Sequence, residues 1–488
     1  MSKLHDPRIT GELTRVDSLG VPGFLASVLA YETFAASVDA VVKFAGYFNT
    51  RAKQSVLELF AKNMIDAASP MNTLLNPVVL RKAVETGGQS LRDGFGNFVS
   101  DVSLRGGVPL LADDSFQVGL NLAMMPGDVV LSCDLFDLIR YRPTTKLVHE
   151  VPLLVVPPPI GRWYIMDLTA ETSYIKFMVG SGHEVYAINW CNPDAEMDQA
   201  SFEGYILRGV VAALNAVPAP KVNVAGVCLG GTMAAIATAL DNQGDDEGKI
   251  NTLSNIVTLT DFGGDIGPMG AMITAKALDK LSAKNSKAGI VTAKKMKDAF
   301  AALNVRDLIL VPMVQQWLLG EKPRPSALLS WNADGTNLFS TMHTQYLRAC
   351  YLENRFAHSE FEVGEKFVGI GDITVDTFWV GGESDHIVYW NKAFEGASQT
   401  SGERCLVLSS RGHLGAIIDP PSDRASFLVG PSTFTDAASW KAAAEKVKGS
   451  WWEYHVEWLQ SRSGRLVLPS VPAEILYAVP SKRLSVVA

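Results

Sequence analysis

The stretch Gly226-Val227-Cys228-Leu229-Gly230-Gly231 constrains this chain more than any other. A short apolar run, 222–225, leads into it and reads as a buried strand. An apolar run, 232–240, follows it and reads as a helix. Between the two, a sharp turn sets glycines on both sides of one reactive side chain. The pattern is G-x-S-x-G with cysteine in place of serine, the signature of a nucleophile carried on a strand-to-helix elbow. Glycine lets the backbone turn where a Cβ would clash. The turn holds the sulfur at a helix N-terminus, where the dipole favours a thiolate. Residues 222–240 carry no charge, which raises the question of a membrane span. Three glycines, Asn223 and the strand–turn–helix pattern favour a buried elbow instead. The bland alternative is a buried cysteine in a glycine-rich turn, and only wider context decides.

That context lies downstream. Trp379-Val380-Gly381-Gly382-Glu383-Ser384-Asp385-His386 reads as a strand ending in a loop with an acid. Cys405-Leu406-Val407-Leu408-Ser409-Ser410-Arg411-Gly412-His413 reads as the next strand, ending in a loop with a histidine. The order nucleophile, acid, histidine is that of α/β-hydrolase triads, and all three candidates sit at the carboxyl ends of strands. With eight histidines in the chain, a single one is weak evidence. His386 competes with His413, but it adjoins the acid and points away from it.

Strands and helices alternate from Pro152 onward, with strands expected at 152–157, 184–190, 222–225 and 252–260 and helices at 170–179 and 202–216. The alternation predicts an α/β fold of the α/β-hydrolase type, with a parallel, doubly wound sheet in residues 149–488. It stops near Asp265 and resumes near Thr374, so residues about 265–373 are expected to form a helical cap insertion over the active site. Residues 1–148 read as a mostly helical N-terminal domain. There, 54–64 has helical apolar spacing, and Asn76-Pro77 opens a helix that Gly87-Gly88 ends. Residues 440–460 read as one or two amphipathic helices before a proline-punctuated tail.

Composition excludes several function classes. A net charge of −8 argues against a nucleic-acid partner. The five cysteines, Cys133, Cys191, Cys228, Cys350 and Cys405, are scattered, without C-x-x-C or metal-ligand spacing. Neither a metal site nor a disulfide framework is expected, and no cofactor is implied. The odd count and the lack of a leader-like start point to a reducing cytoplasm.

Further motifs run along the chain: Pro157-Pro158-Pro159-Ile160-Gly161-Arg162-Trp163-Tyr164-Ile165-Met166-Asp167-Leu168, Asn189-Trp190-Cys191-Asn192-Pro193-Asp194, Trp331-Asn332-Ala333-Asp334-Gly335-Thr336-Asn337-Leu338, Ser384-Asp385-His386-Ile387-Val388, Gly412-His413-Leu414, Asp419-Pro420-Pro421 and Gly449-Ser450-Trp451-Trp452. With them, from about Pro70 to about Tyr477, the chain resembles the polyhydroxyalkanoate synthases, most closely the class I and II enzymes. The elbow alone is shared with dienelactone hydrolases, whereas the whole set is specific.

The resemblance implies polymerisation of (R)-3-hydroxyacyl-coenzyme A into a polyester with release of coenzyme A. It implies the triad Cys228, Asp385 and His413, the same positions reached from the elbow and the strand ends. It also implies a homodimer on the surface of cytoplasmic storage granules, with the growing polyester chain and granule-associated proteins as partners and no transmembrane segment. Pro159, Gly161 and Arg162 stand where the family usually has Trp, Asn and Lys, and Tyr389 where it commonly has Pro. These departures bear on substrate range and rate. The backbone N–H of Leu229, the residue after the nucleophile, is one expected oxyanion donor. Pro159 has no N–H, so the second is assigned to Ile160.

Sulfur suits this chemistry. A thiolate that attacks a coenzyme A thioester forms another thioester, so the acyl group stays activated for transfer to an alcohol. A serine would trap it as an oxygen ester, about as stable as the product. Two other readings are a cysteine-nucleophile hydrolase, either dienelactone-hydrolase-like or polyester-degrading, and a non-catalytic granule-coating protein. The chain length and full motif set argue against the first, and the intact triad against the second.

Overall fold

A computed structural model describes residues 5–480 except 16–20, 22, 48, 50, 111, 113, 245 and 246, and leaves the side chains of 51, 52, 285 and 286 undescribed. The far end of the expected tail, 481–488, lies outside the described residues. The chain folds as two compact units. One comprises Met1–Ser115 with Lys294–Ala333, the other Phe116–Ala293 with Asp334–Ala488.

The first unit is helical among its described residues. Its helices include Pro7–Leu13, Phe24–Gly46, Arg51–Ala68, Pro77–Glu85 and Gln89–Arg105. The helix expected from Asn76-Pro77 forms as read: the Asn76 side chain accepts from the Val78 N–H, and Pro77 occupies the first turn, where its missing N–H costs nothing. Phe24, Val28, Tyr31, Ala35, Ile65 and Met71 form a common core. A Cβ on Gly94 would lie 2.1 Å from the Trp317 carbonyl oxygen, so only glycine lets helix Gln89–Arg105 approach that backbone so closely. Among the described residues, Phe24–Gly46 is the one helix long and apolar enough to cross a membrane, at 23 residues and a mean hydropathy of 1.4.

The second unit is built on an 11-stranded sheet. Its strands are β1 (Gly127–Ser132), β2 (Phe136–Tyr141), β3 (Leu153–Val156), β4 (Val185–Trp190), β5 (Val222–Val227), β6 (Ile250–Ile256), β7 (Asp376–Gly382), β8 (Arg404–Ser409), β9 (Ser426–Val429), β10 (Glu445–Lys448) and β11 (Tyr477–Val479). The order is β10-β9-β8-β7-β6-β5-β3-β4-β2-β1-β11. From β8 to β4 every neighbouring pair is parallel, and the strands outside that block pair antiparallel. Strands β3, β5 and β7 are buried along nearly their whole length, as expected of parallel strands covered on both faces. The result is a mixed α/β core with flanking helices, of the α/β-hydrolase kind, beside a largely helical N-terminal region.

Three details differ from the sequence reading. Strands β1 and β2 lie inside the stretch expected to be mostly helical. They are short runs whose register is set by sheet neighbours rather than by local propensity. The strand expected over 252–260 ends at Ile256, because Val257 takes φ 46° and turns the chain out of the ladder. Residues 440–460 do form parts of two helices, Ala437–Ala443 and Trp451–Gln460, but β10 runs between them.

Candidate active site

Cys228 lies between β5 and the helix Leu229–Asn242, with φ 52° and ψ −124°. A non-glycine residue at such angles is held there only by over-determining surroundings. The glycines supply them. A Cβ on Gly226 would sit 2.4 Å from the Gly231 Cα, one on Gly230 2.2 Å from the Val156 carbonyl oxygen, and one on Gly231 1.9 Å from Thr258 Oγ1. The helix is thereby pressed against the ends of β3 and β5 and the segment after β6. The Cys228 N–H donates to the Ile256 carbonyl at 2.9 Å, which fixes the turn from the other side. Leu229 opens the helix, so its N–H is among the donors that no helical carbonyl satisfies.

Asp385 sits in the loop that follows β7, and the loop after β8 leads into His413, the first residue of the helix His413–Ile417. Those loops are stitched together by the Glu383 N–H to the Ser409 carbonyl at 2.8 Å and the Ser384 N–H to the Arg411 carbonyl at 3.1 Å. Asp385 is buried. Its Oδ1 accepts from the N–H groups of Ile387 at 2.8 Å and Val388 at 2.9 Å, and its Oδ2 lies 2.7 Å from His413 Nδ1. The Cys228 sulfur also acts on the His413 imidazole electrostatically. Burial opposes a charge on the imidazole, but the carboxylate of Asp385 and then the sulfur of Cys228 outweigh it, pushing His413 up to about 10. The structure thus brings Cys228, Asp385 and His413 together, while His386 is exposed. Burial, above all, pushes the Cys191 and Cys405 thiols up to about 12 and raises that of Cys350; Cys133 is exposed.

The loop after β3 carries Ile160. Thr336 clamps it on both sides: Thr336 Oγ1 accepts from the Gly161 N–H at 2.9 Å and donates to the Pro159 carbonyl at 2.7 Å. Asp334 holds Arg162 and Tyr164, accepting from Arg162 Nε at 3.0 Å and from the Tyr164 hydroxyl at 2.8 Å. Gly161 has φ 92°, a conformation that favours glycine. The Trp190 indole donates to the Pro157 carbonyl at 2.8 Å. Asn337 donates its N–H to Asn192 Oδ1 and its amide to the Pro193 carbonyl. Motifs far apart in sequence therefore serve one loop system, a role the linear reading did not assign to Asp334, Thr336 or Asn337. The reading also missed Tyr346 and Tyr351, which pack on Phe262 and on each other. Only long-range contacts reveal them. Among the described residues, no group of three His, Cys, Asp or Glu side chains is placed to hold a metal ion.

Comparison with known proteins gives concordant matches. The family model described as poly-beta-hydroxybutyrate polymerase (PhaC) N-terminus matches residues 22–178. The poly(3-hydroxyalkanoate) polymerase of Methylorubrum extorquens is 32% identical over 85% of this chain and 70% of its own length. Poly(3-hydroxyalkanoate) polymerase 2 of Ectopseudomonas oleovorans is 32% identical over 84% of this chain and 74% of its own. The poly(3-hydroxyalkanoate) polymerase subunit PhaC of Cupriavidus necator is 31% identical over 94% of this chain and 79% of its own. With identity at this level spread over most of both partners, the chain belongs to the poly(3-hydroxyalkanoate) polymerase family of acyltransferase enzymes.

Proposed function

We propose that this enzyme polymerises (R)-3-hydroxyacyl-coenzyme A into a polyester through an acyl-Cys228 intermediate, with His413 as proton carrier and Asp385 as its orienting partner. The observation that carries the reading is Asp385 Oδ2 at 2.7 Å from His413 Nδ1, with the imidazole pushed up to about 10 by that carboxylate and by the Cys228 sulfur. The bond to Asp385 occupies Nδ1, so the other ring nitrogen serves the sulfur.

In the first half-reaction the Cys228 proton passes to His413, and the sulfur attacks the thioester carbonyl. The oxyanion is held by the N–H groups of Leu229 and Ile160. The bond to the coenzyme A sulfur breaks, and coenzyme A leaves with the proton from His413. In the second, neutral His413 takes the proton of a 3-hydroxyl group. The oxygen attacks the acyl-cysteine, an ester bond forms, and Cys228 leaves as thiolate. The raised proton affinity of His413 fits a group that accepts a proton in both halves.

Water must be kept from the acyl-enzyme. In this reading residues about 265–373 act as the cap of a catalytic domain spanning 149–488, and the support is the packing of Tyr346 and Tyr351 on Phe262, in the segment that follows β6. The protein works as a homodimer on cytoplasmic polyester granules, as the resemblance implies.

Cys228→Ala is expected to abolish coenzyme A release, whereas alanine at Cys133, Cys191, Cys350 or Cys405 leaves the chemistry in place. Asp385→Asn keeps the fold and lowers kcat by about 10⁴, as the equivalent change does in a serine triad. Substantial turnover by Cys228→Ala, or a near-normal rate for Asp385→Asn, overturns the assignment.

A further inference from the structure

The loop that follows β3 is nearly stripped of hydrogen-bond donors. Pro157, Pro158 and Pro159 have no N–H. The Gly161 N–H is taken by Thr336 Oγ1 at 2.9 Å. Among the described residues nothing accepts from the Ile160 N–H, and Ile160 is half-buried where the three prolines before it are buried. From 157 to 161, one N–H is left to meet a ligand. The loop also starts against the nucleophile elbow. A Cβ on Gly230, two positions after Cys228, would lie 2.2 Å from the Val156 carbonyl oxygen and 2.5 Å from that of Pro157.

Thr336 controls how that one N–H points. Its side chain is buried, and its hydroxyl makes one bond of each kind. It donates to the Pro159 carbonyl at 2.7 Å and accepts from the Gly161 N–H. The Pro159 carbonyl and the Ile160 N–H belong to one peptide group, which is planar and trans, so they point in opposite directions. Holding the oxygen toward Thr336 therefore fixes the N–H on the far side of the plane. Donation to the carbonyl also polarises the peptide group and strengthens its N–H as a donor. The Gly161 N–H, bound to the same hydroxyl, fixes the next peptide plane. Asp334, two positions earlier, holds Arg162 and Tyr164 and so secures the loop beyond.

We propose that Thr336 is a positioning residue of the oxyanion site: it aims the Ile160 N–H at the thioester oxygen and keeps the Gly161 N–H away from it. The inference rests on the acyl-Cys228 reading, with Ile160 as its second oxyanion donor. In the step served, the Cys228 sulfur bonds to the carbonyl carbon and the carbonyl electron pair moves onto oxygen, toward the N–H groups of Leu229 and Ile160. The pair returns as the bond to the coenzyme A sulfur breaks, and that sulfur takes the proton from His413. Thr336 exchanges no proton and touches no substrate.

The test is Thr336→Val, which keeps the branched shape and removes the hydroxyl, run beside Thr336→Ala so that a folding failure of one leaves the other to be read. Single-turnover release of coenzyme A from (R)-3-hydroxybutyryl-coenzyme A is expected to slow about 10²-fold, the effect of shifting a reacting group by about 1 Å. Iodoacetamide alkylation of Cys228, followed by peptide mass, forms a carbon–sulfur bond and expels iodide without building an oxyanion. Its rate should stay at the wild-type value. Thr336→Ser, which keeps the hydroxyl, should restore acylation. Unchanged acylation, a parallel fall in acylation and alkylation, or failure of serine to restore the rate overturns the role of Thr336. Cys228→Ala tests the underlying reading by itself: coenzyme A release by that variant overturns it, whatever the Thr336 variants do.

Discussion

Two apolar helices in this chain have opposite fates. In Leu229–Asn242, every residue from Leu229 to Ala239 is buried. In Phe24–Gly46, only 17% of the most apolar window is buried, with Leu29 71% and Val41 67% exposed. Apolar composition alone does not separate them. What separates them is the surface each can reach. Gly226, Gly230 and Gly231 remove the Cβ atoms that would keep the first helix off the sheet, so it packs down to backbone contact and presents Cys228 at its tip. Burial of a helix is thus set by local steric permission as much as by hydrophobicity, and here that permission and the geometry of the elbow come from the same glycines.

The largest expected effect breaks the buried side of that comparison. Gly230→Ala places a Cβ about where the Val156 and Pro157 carbonyl oxygens lie, at 2.2 and 2.5 Å, and backbone atoms cannot swing aside. We expect a loss of at least about 3 kcal/mol, read as a fall in Tm or failure to accumulate folded protein. A variant of wild-type stability would mean that the close packing is not required.

A matched pair of truncations sharpens the contrast. Ile236→Ala removes a fully buried side chain from the first helix and should cost about 2–5 kcal/mol by chemical denaturation. Leu29→Ala removes an exposed one from the second and should stay within about 0.5 kcal/mol. Equal costs would erase the distinction.

Acid separates the two units more gently. His183 and His455 are held down to about 3 and His343 to about 4, foremost by burial, and all three lie in the sheet-bearing unit. Below the ordinary histidine value near 6.5 the unfolded chain binds protons there that the folded one refuses. Stability therefore falls as pH drops from about 6.5 toward 4, by up to about 1.4 kcal/mol per pH unit per histidine. Asp167, raised to about 6 by burial, offsets part of this below pH 6, because the folded state takes up its proton first. In the helical unit His5 has the opposite sign. Its hydrogen bonds to Glu32 and Asp39 raise its pKa, so its contribution is present below 6.5 and is lost only as pH rises through the raised value. Hydrogen exchange between pH 7 and 5 should show protection declining in Leu229–Asn242 and not in Phe24–Gly46. The reverse order would contradict the assignment of charge states.

Cys228, Asp385 and His413 stood out as candidates because each announces itself locally, by an elbow or a strand end, and because their chain order is that of the fold. The sequence pointed to a membrane question at residues 222–240, where the glycines argued for burial, and passed over Phe24–Gly46, the helix that meets the length and apolarity test. Strands β1, β2 and β10 went unread because they are short and owe their form to neighbours across the sheet. Asp334 and Thr336 were visible as parts of a motif, but their role depends on contacts with Arg162, Tyr164, Gly161 and Pro159 more than a hundred positions away. Tyr346 and Tyr351 carried no linear signal, since their packing on Phe262 joins segments distant in sequence.

The central claim is that acyl groups on Cys228 pass to a hydroxyl rather than to water. It is tested most directly by following (R)-3-hydroxybutyryl-coenzyme A to its products and dividing polymer and free 3-hydroxybutyrate by coenzyme A released. Water is the most concentrated nucleophile present, but a positioned hydroxyl gains an effective molarity of about 10⁵ M or more. The account predicts that nearly every coenzyme A released corresponds to a monomer in insoluble polyester. Free acid as the dominant product, across short and medium acyl chains, would contradict it and make the enzyme a hydrolase.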